Sequence, residues 1–267
     1  MSFSLFIICD DARKYKLLFH NCENLYNKCR LLYRHLVVKS LDTYKLIEFI
    51  INDNGKTADI VYENQCYLKQ NPLFFLHCEI VKNHVFSDDF IMLHGAAVSC
   101  CGRTSLLIAP TKRGKSTLTA YLSLMGFDVF TDDSIIINKL ENEIIPPQIP
   151  LFLRSGGVNI IKSELSKNNG KEFDPVFAGE DRWLFLPNNL SLLPSKIDKI
   201  FFIRLCSINY LRKINSTECY TGLLMSLSSP TFITRNNLSY IKKISNLDAY
   251  SLDFSDIGFV KETISSN

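Results

Sequence analysis

Short apolar segments alternate with polar breaks over the first quarter of the chain, a pattern typical of strands rather than helices. The segments are rich in β-branched and aromatic residues and cover residues 5–8, 16–19, 35–38, 45–51 and 60–62. A D-N-G segment at residues 53–55 favours a hairpin turn between the segments at 45–51 and 60–62. The pattern therefore predicts a small antiparallel β module at residues 1–70.

Pro72 marks the predicted start of a helix that closes at residues 87–89. Proline is favoured in the first helical turn, and apolar residues recur on one face of the segment that follows. We expect the two histidines of this segment, His77 and His84, to be ordinary helix residues.

Two apolar runs follow, at residues 90–98 and 105–108, with Gly102 between them at hairpin distance. They predict an antiparallel pair of strands. The pairing brings His94 towards the far end of the second strand, which makes it a candidate site residue. A core histidine bonded to a backbone carbonyl is the alternative for His94.

The second of these strands runs into a short polar loop, A-P-T-K-R-G-K-S-T at residues 109–117, and then into a helix that Gly126 ends. Amide groups and the helix dipole at such a junction favour an anion. The loop fits G-x-x-x-x-G-K-[ST] only in part, because Ala109 stands at the first glycine. It predicts a phosphate-binding loop in which Lys115 reaches the outer phosphates and Ser116 holds Mg²⁺. The candidate binding residues are Thr111, Lys112, Arg113, Gly114, Lys115, Ser116 and Thr117. A plain surface helix start is the alternative.

Asp132 and Asp133 interrupt the apolar run at residues 127–137. Carboxylates are costly to bury unless they are paired, solvated or bound to a metal. Because the pair lies one helix after the loop, we expect one carboxylate to hold Mg²⁺ and the other to accept a proton from a hydroxyl nucleophile. A turn between two strands is the alternative.

The rest of the chain contains two candidate catalytic arginines. Arg154 ends a stretch that its prolines keep extended, and Arg182 stands beside the only tryptophan. Arg182 can stabilise a transferring phosphoryl group, or it can pair with Glu180 or Asp181. We expect residues 163–173 to form a mobile loop or helix–loop segment over the site, strands at 183–186 and 197–205, and helices at 221–227 and 257–264, with a mixed segment up to residue 247.

Composition narrows the class of protein. With 267 residues, 46% of them apolar, the chain can bury at least one full core and a small second one. The net charge is +3 and the charges are well mixed, so neither a nucleic acid nor a membrane is expected as a partner. Nine cysteines without a C-x-x-C pair indicate reduced thiols, and the first apolar run is too short for a signal peptide. A cytoplasmic location is expected.

The central segment resembles the HPr kinase/phosphorylase family. The likeness rests on His94-Gly95, the G-K-S-T loop and Asp132-Asp133, in this order and spacing, and it covers about residues 90–140. It implies an α/β fold at residues 71–267, with a P-loop kinase core made of a mixed sheet and flanking helices. It further implies ATP and Mg²⁺ as cofactors, Asp132 as the base on a substrate serine, Asp133 as a metal ligand, and His94 near the transferred phosphoryl group.

One departure from this family concerns a metal ligand. Bacterial HPr kinases have a Glu two residues before the arginine that aligns with Arg154, and Phe152 stands there in this chain. The N-terminal module, the P-x-x-P-L-F-L-R stretch and the later D-R-W segment look more like the branch found in peptide-modification clusters. That branch includes lasso precursor-peptide kinases, which phosphorylate a C-terminal serine of the precursor.

The resemblance implies an ATP- and Mg²⁺-dependent kinase that phosphorylates a serine hydroxyl of a peptide or small protein. Two alternatives stay open: a kinase of a small-molecule hydroxyl, and a nucleotide-binding regulatory protein without chemistry. Ala109 and Phe152 favour the last of these. HPr kinases assemble as hexamers, which leaves a homo-oligomer open here, although no interface motif in the sequence supports one.

Overall fold

The N-terminal part of the molecule is a six-stranded sheet. The computed structural model describes residues 2–9, 14–51, 57–82, 88–111, 113–167, 173–179, 181–229 and 233–266. The first strands are β1 (Ser2–Ile8), β2 (Lys14–His20), β3 (Val37–Val38), β4 (Lys45–Ile51), β5 (Ala58–Tyr62) and β6 (Gln65–Gln70). They lie in the order β3-β1-β2-β4-β5-β6, so the predicted strand-rich start of the chain is confirmed.

The expectation of strands alone, all antiparallel, is wrong. Helix α1 (Glu23–Leu32) lies between β2 and β3, and β2 pairs with β4 in parallel. Parallel neighbours need a crossover connection, and a helix supplies it. The buried side chains of α1 are Leu25, Cys29 and Leu32, at helical spacing, and most residues between them are polar. The predicted D-N-G turn lies outside the described residues.

Helix α2 (Pro72–Lys82) begins at the predicted proline. Its inner residues Leu73, Leu76 and Ile80 are buried in the same core as the N-terminal sheet. The helix therefore packs on that sheet along one side and leaves its other side to the rest of the protein. His84 and Ser87 lie outside the described residues.

A nine-stranded mixed sheet forms the centre of the molecule. Its strands are β7 (Phe90–Cys100), β8 (Arg103–Ile108), β9 (Asp128–Thr131), β10 (Ser134–Asn138), β11 (Glu143–Ile145), β15 (Ser195–Lys196), β16 (Lys199–Leu205), β17 (Tyr210–Lys213) and β18 (Asp248–Phe254). The order is β15-β11-β10-β7-β8-β16-β18-β17, with β9 beside β7. Strand β16 is parallel to both β8 and β18, while the other pairs are antiparallel. The chain is thus a mixed α/β protein.

A small sheet of three strands lies apart from the central one. It contains β12 (Leu151–Arg154), β13 (Val176–Gly179) and β14 (Arg182–Phe185), in the order β12-β14-β13. The remaining helices are α3 (Lys115–Leu124), α4 (Ser155–Lys167), α5 (Ser216–Met225), α6 (Arg235–Ile244) and α7 (Ile257–Ser266). One core packs α3, α4 and α7 on the central sheet, and another packs α5 and α6 on it.

Several local predictions are confirmed. Strands β7 and β8 form the expected hairpin, and its turn residues Cys101 and Gly102 have φ of 53° and 74°, which suits a two-residue turn. Gly126 follows α3 with φ of 98°. The predicted strands at 183–186 and 197–205 match β14 and β16 to within one or two residues.

Other boundaries differ from the prediction. Residues 163–167 belong to α4, in which Val158, Ile161 and Leu165 bury one side, so the helical part of the expected helix–loop segment is observed there. Residues 168–172 lie outside the description. Helix α5 begins five residues earlier than the predicted residue 221, at a capping box between Asn215 and Glu218. Within the described ranges, no helix is long and apolar enough to cross a membrane.

Candidate functional site

The predicted phosphate loop joins the end of β8 to the start of α3. Gly114 is the residue before the helix, and its φ of 83° is a left-handed conformation that glycine adopts without strain. Thr111, Gly114, Ser116 and Thr117 line a cavity of about 580 Å³ at this junction. Lys112 lies outside the described residues, and Arg113 is exposed and does not line the cavity. The strand–loop–helix order of the sequence prediction is confirmed.

The Lys115 side chain is folded back onto its own loop. Its Nζ donates hydrogen bonds to the carbonyl oxygens of Ala109 and Pro110, at 2.8 and 3.2 Å. The residue is 5% exposed, and burial lowers the pKa of its ammonium group while the charges of Asp133 and Asp132 oppose that shift. The lysine therefore lies at the cavity wall as a desolvated cation.

His94 connects this lysine to the acidic pair. The Lys115 Nζ lies 2.9 Å from His94 Nε2, and His94 Nδ1 lies 3.3 Å from a carboxylate oxygen of Asp133. Lysine has only N–H groups to offer, so Nε2 accepts and Nδ1 carries the imidazole proton towards Asp133. His94 thus bonds two site side chains through its ring, whereas the alternative expected a backbone carbonyl.

Asp132 and Asp133 form a bend between β9 and β10. The alternative interpretation, a turn between two strands, is therefore correct for the backbone. Both side chains nevertheless line the cavity. The strands hold this bend in place, because Ser134 pairs with His94 across β10 and β7, and the Gly95 amide donates to the Asp133 carbonyl oxygen. A Cβ at Gly95 would lie 2.6 and 2.8 Å from side-chain carbons of Ile135 and Ile108. A side chain at residue 95 would therefore require the Ile135 and Ile108 side chains to move.

The two carboxyl groups have different surroundings. Asp132 is 2% exposed, and its Oδ2 accepts a hydrogen bond of 3.2 Å from the Phe152 amide. Burial, helped by the neighbouring Asp133 charge, raises the pKa of Asp132 to about 7, although hydrogen bonds from Ser116 and Phe152 oppose the shift. The Asp133 side chain is half-exposed, and its hydrogen bond with His94 lowers its pKa.

Two further cavity residues lie on α2, and sequence reasoning did not assign them to the site. Phe74 and His77 both line the cavity, and the ring of Phe152 lies edge-on to His77 at 4.5 Å. His77 is 6% exposed, and its Nδ1 is buried without a hydrogen-bond partner in the described part of the chain. Burial lowers the pKa of this imidazole to about 4, against the opposing charge of Asp133. His77 is a residue of helix α2, as expected, but it is buried and lines the cavity. The available signal was the i, i+3 spacing of Phe74 and His77, which makes them neighbours on the surface of α2.

Both candidate arginines line the cavity as well. Arg154 on β12 is the direct partner of Arg182 on β14, and the Arg182 guanidinium lies over the Phe74 ring at 4.5 Å. Asp181 accepts a 3.0 Å hydrogen bond from the Ser155 amide, while Glu180 lies outside the described residues.

Glycines at the start of α4 complete the cavity. Gly156 and Gly157 line it next to Arg154. A Cβ at Gly157 would lie 2.4 Å from Thr117 Oγ1, whereas one at Gly156 would meet nothing within 4 Å. The start of α4 therefore packs directly against α3 at Gly157.

The donor set suits Mg²⁺ in the presence of a polyphosphate. No three His, Cys, Asp or Glu side chains converge on one point within the described ranges. Mg²⁺ is usually bound through one or two carboxylates, with substrate phosphates and water completing its coordination. The Ser116 hydroxyl and the two carboxyl groups at the cavity fit that requirement.

Comparison with known proteins assigns no family to the chain. No protein-family model matches the chain, and no curated protein matches it either.

Proposed function

We propose that this chain is an ATP- and Mg²⁺-dependent kinase that transfers the γ-phosphoryl group to a serine hydroxyl of a peptide or small protein. The observation that supports this most directly is the meeting of Lys115, His94 and the acidic pair at the end of a phosphate-type loop. Phosphoryl transfer depends on positioning and on neutralising charge, and these groups supply both.

The proposed roles follow the surroundings of each side chain. Lys115 contacts the outer phosphates in this proposal, and Ser116 with Asp133 would hold Mg²⁺, whose charge would offset that of the nucleotide. The serine oxygen forms a bond to the γ-phosphorus as the bond to the bridging oxygen of ADP breaks. Asp132 takes the hydroxyl proton, and a carboxyl whose pKa lies near 7 is suited to a base that acts near neutral pH.

His94 positions two of these groups. Its ring lies between Lys115 and Asp133, so it fixes the lysine relative to the carboxylate and places both near the transferred phosphoryl group. The predictions for Arg154 and Arg182 as neutralisers of transferring charge, for the boundary near residue 70 and for a cytoplasmic location remain predictions.

A nucleotide-binding regulatory protein without chemistry is the second candidate. Phe152 favours it, because an aromatic ring lies where the resembling family has a carboxylate. The Phe152 backbone amide still supports Asp132, so this position contributes to the site through its main chain.

Labelled ATP tests the proposal. The purified protein should bind Mg²⁺-ATP and transfer label to serine within a pool of synthetic peptides. Lys115→Ala should weaken nucleotide binding and transfer together, because its charge serves the ground state and the transition state alike. The matched control is Lys213→Ala. Lys213 is an exposed lysine on the edge strand β17, and its side chain pairs with Asp248.

The outcomes separate the candidates. Nucleotide binding that Lys115→Ala leaves unchanged would contradict the phosphate-loop assignment. Binding without transfer to any acceptor would favour the regulatory protein.

A further inference from the structure

The N-terminal sheet has apolar residues on both of its faces. On its inner face, Leu17 and Phe19 of β2 and Ile47 and Phe49 of β4 are fully buried, in the core that they share with α1 and α2. Successive side chains of a strand lie on opposite faces, so the residues between them belong to the other face. We call this second face the outer face, and its apolar residues in the central strands are Phe6, Leu18, Leu46, Ile50 and Val61.

The register of the strands makes these five residues one continuous surface. Leu18 is level with Glu48 on β4, and Lys16 is level with Phe6 on β1 and Leu46 on β4. Leu18 is therefore diagonal to Phe6 and Leu46, at a separation that side chains on a sheet can bridge.

The outer face is open at the same strands. Leu46 and Ile50 of β4 are 40% and 42% exposed, and Leu68 on the edge strand β6 is 66% exposed. A sheet that turns one face to water normally carries polar residues there. An exposed apolar surface of this kind is typical of a contact between proteins.

The charged residues of the outer face divide between its two halves. The basic residues Lys14, Lys16 and His20 lie on β2, whereas Glu48 lies on β4 and Asp59 on β5. The lysines and the carboxylates are equal in number, so the face offers no strong field to a nucleic acid or an anionic membrane. A two-fold axis parallel to the strands, between β2 and β4, would lay the basic β2 of one copy over the acidic β4 of its partner. The face is therefore complementary in charge to a second copy of itself.

These charges also have partners within one copy. Lys16 Nζ lies over the rings of Phe6 and Tyr44, at 5.7 and 5.4 Å from their centroids, and Glu48 lies 3.8 Å from His20. A contact between two copies thus needs no new ion pair. Apolar burial supplies its free energy, and the charges set its orientation.

The size of the face suits a weak dimer. Strands β1, β2 and β4 have seven residues each, and β5 and β6 continue the sheet beside them. Five strands of this length cover roughly 500 Å², from the spacing of strands and the rise per residue. Two copies would bury roughly 1,000 Å² in total, at the lower limit for a specific interface.

We propose that two copies of this chain pack the outer faces of their N-terminal sheets against each other and form a symmetric homodimer. Sheets packed in this way lie about 10 Å apart with their strands roughly 30° from parallel. Helices α1 and α2 of each copy lie on the far side of its sheet, away from the contact. The inference does not depend on the proposed kinase function.

Sedimentation equilibrium of the full-length protein tests the dimer. We expect a reversible monomer–dimer equilibrium with a Kd of roughly 1–100 µM, as for other small interfaces. Leu46→Lys and Ile50→Lys should each raise that Kd at least about 10-fold, because they bring a charge into an apolar contact twice, once from each copy. Leu205→Lys is the matched control, since Leu205 is 55% exposed at the end of β16 in the central sheet.

Cysteine alkylation locates the contact in the natural protein. Cys66 is exposed on the outer face, level with Val61, whereas Cys101 is exposed at the turn between β7 and β8. Alkylation of Cys66 by iodoacetamide, followed by mass spectrometry, should slow as the protein concentration rises through the Kd. Cys101 should react at a constant rate over the same range, and in Leu46→Lys both thiols should.

Two results would overturn the dimer. A monomer at every concentration would leave the outer face to a different protein. A dimer that survives both lysine substitutions, or in which Cys66 reacts as fast as in the monomer, would place the contact elsewhere. Urea unfolding of each variant confirms that it folds, and the Cys66 measurement needs no variant at all.

Discussion

Lys115 and His94 are in direct contact, with Nζ and Nε2 2.9 Å apart, although 21 residues separate them in the chain. The contact exists because β7 and β8 are antiparallel, so that His94 and the loop after Ile108 lie at the same end of the hairpin. It links the proposed phosphate ligand to Asp133 through one imidazole ring.

His94→Ala removes that link, and we expect it to lower transfer by roughly 10-fold to 100-fold, the range for losing a residue that orients a metal-binding carboxylate. Nucleotide affinity should fall less, because Lys115 keeps its carbonyl partners. Single-turnover rates and nucleotide titrations measure the two effects. His20→Ala on the N-terminal sheet is the control, and equal losses of affinity and rate would contradict a positioning role.

Asp132→Asn tests the buried carboxyl through stability. The folded-state pKa near 7 is higher than the ordinary value of 3.8, so the folded protein binds the proton more tightly than the unfolded chain does. Protonated Asp132 stabilises the folded state below pH 4. This contribution to the free energy of unfolding, about 4 kcal/mol at most, is lost as the pH rises through 7. Urea unfolding should therefore show Asp132→Asn gaining stability over the natural protein between pH 4 and 7. The exposed Asp128→Asn should show no such trend, and a flat difference for Asp132→Asn would refute the buried acid.

His77→Leu has the opposite pH dependence to Asp132→Asn. The folded-state pKa of His77 lies near 4, below the ordinary 6.5, so the unfolded chain takes up a proton first as pH falls. Stability from the neutral imidazole is present above pH 6.5 and is lost on acidification to pH 4, by roughly 3 kcal/mol. The leucine variant should gain stability relative to the natural protein over that window. The partly exposed His20→Leu serves for comparison, and an equal pH profile for both variants would argue against burial of His77.

Gly157→Ala places a methyl group 2.4 Å from Thr117 Oγ1. We expect a loss of about 1–3 kcal/mol in stability, as for other overpacked positions, together with weaker nucleotide binding. Gly156→Ala is a matched control one residue away, where the added carbon meets nothing within 4 Å. Removing the hydroxyl in a Gly157→Ala, Thr117→Ala double variant should recover part of the loss. Equal stability of the two alanine variants would show that α4 does not press on the loop helix.

Local patterns predicted the part of the site that is continuous in the chain. The apolar strand, the G-K-S-T loop and Gly126 lie within about twenty residues, and their order alone predicts a strand, a turn and a helix. His94 and Asp132 could be added because hairpin pairing and a single helix relate them to that loop.

The part of the cavity that α2, β12 and β14 form could not be predicted in this way. It brings α2, β12 and β14 together, and Phe74 and Arg182 touch although more than a hundred residues separate them.

Helix α1 was missed for another reason. Its three buried residues are spaced by four and three positions among polar ones, and such a weak stripe is outweighed by the strand-like segments around it.

Single-turnover transfer by Asp132→Asn is the most direct test of the proposed chemistry. With enzyme in excess over Mg²⁺-ATP and a saturating serine substrate, we expect nucleotide affinity close to that of the natural protein and a transfer rate lower by at least about 100-fold. An unchanged transfer rate would contradict Asp132 as the base. A natural protein that fails to bind Mg²⁺-ATP at all would contradict the whole assignment.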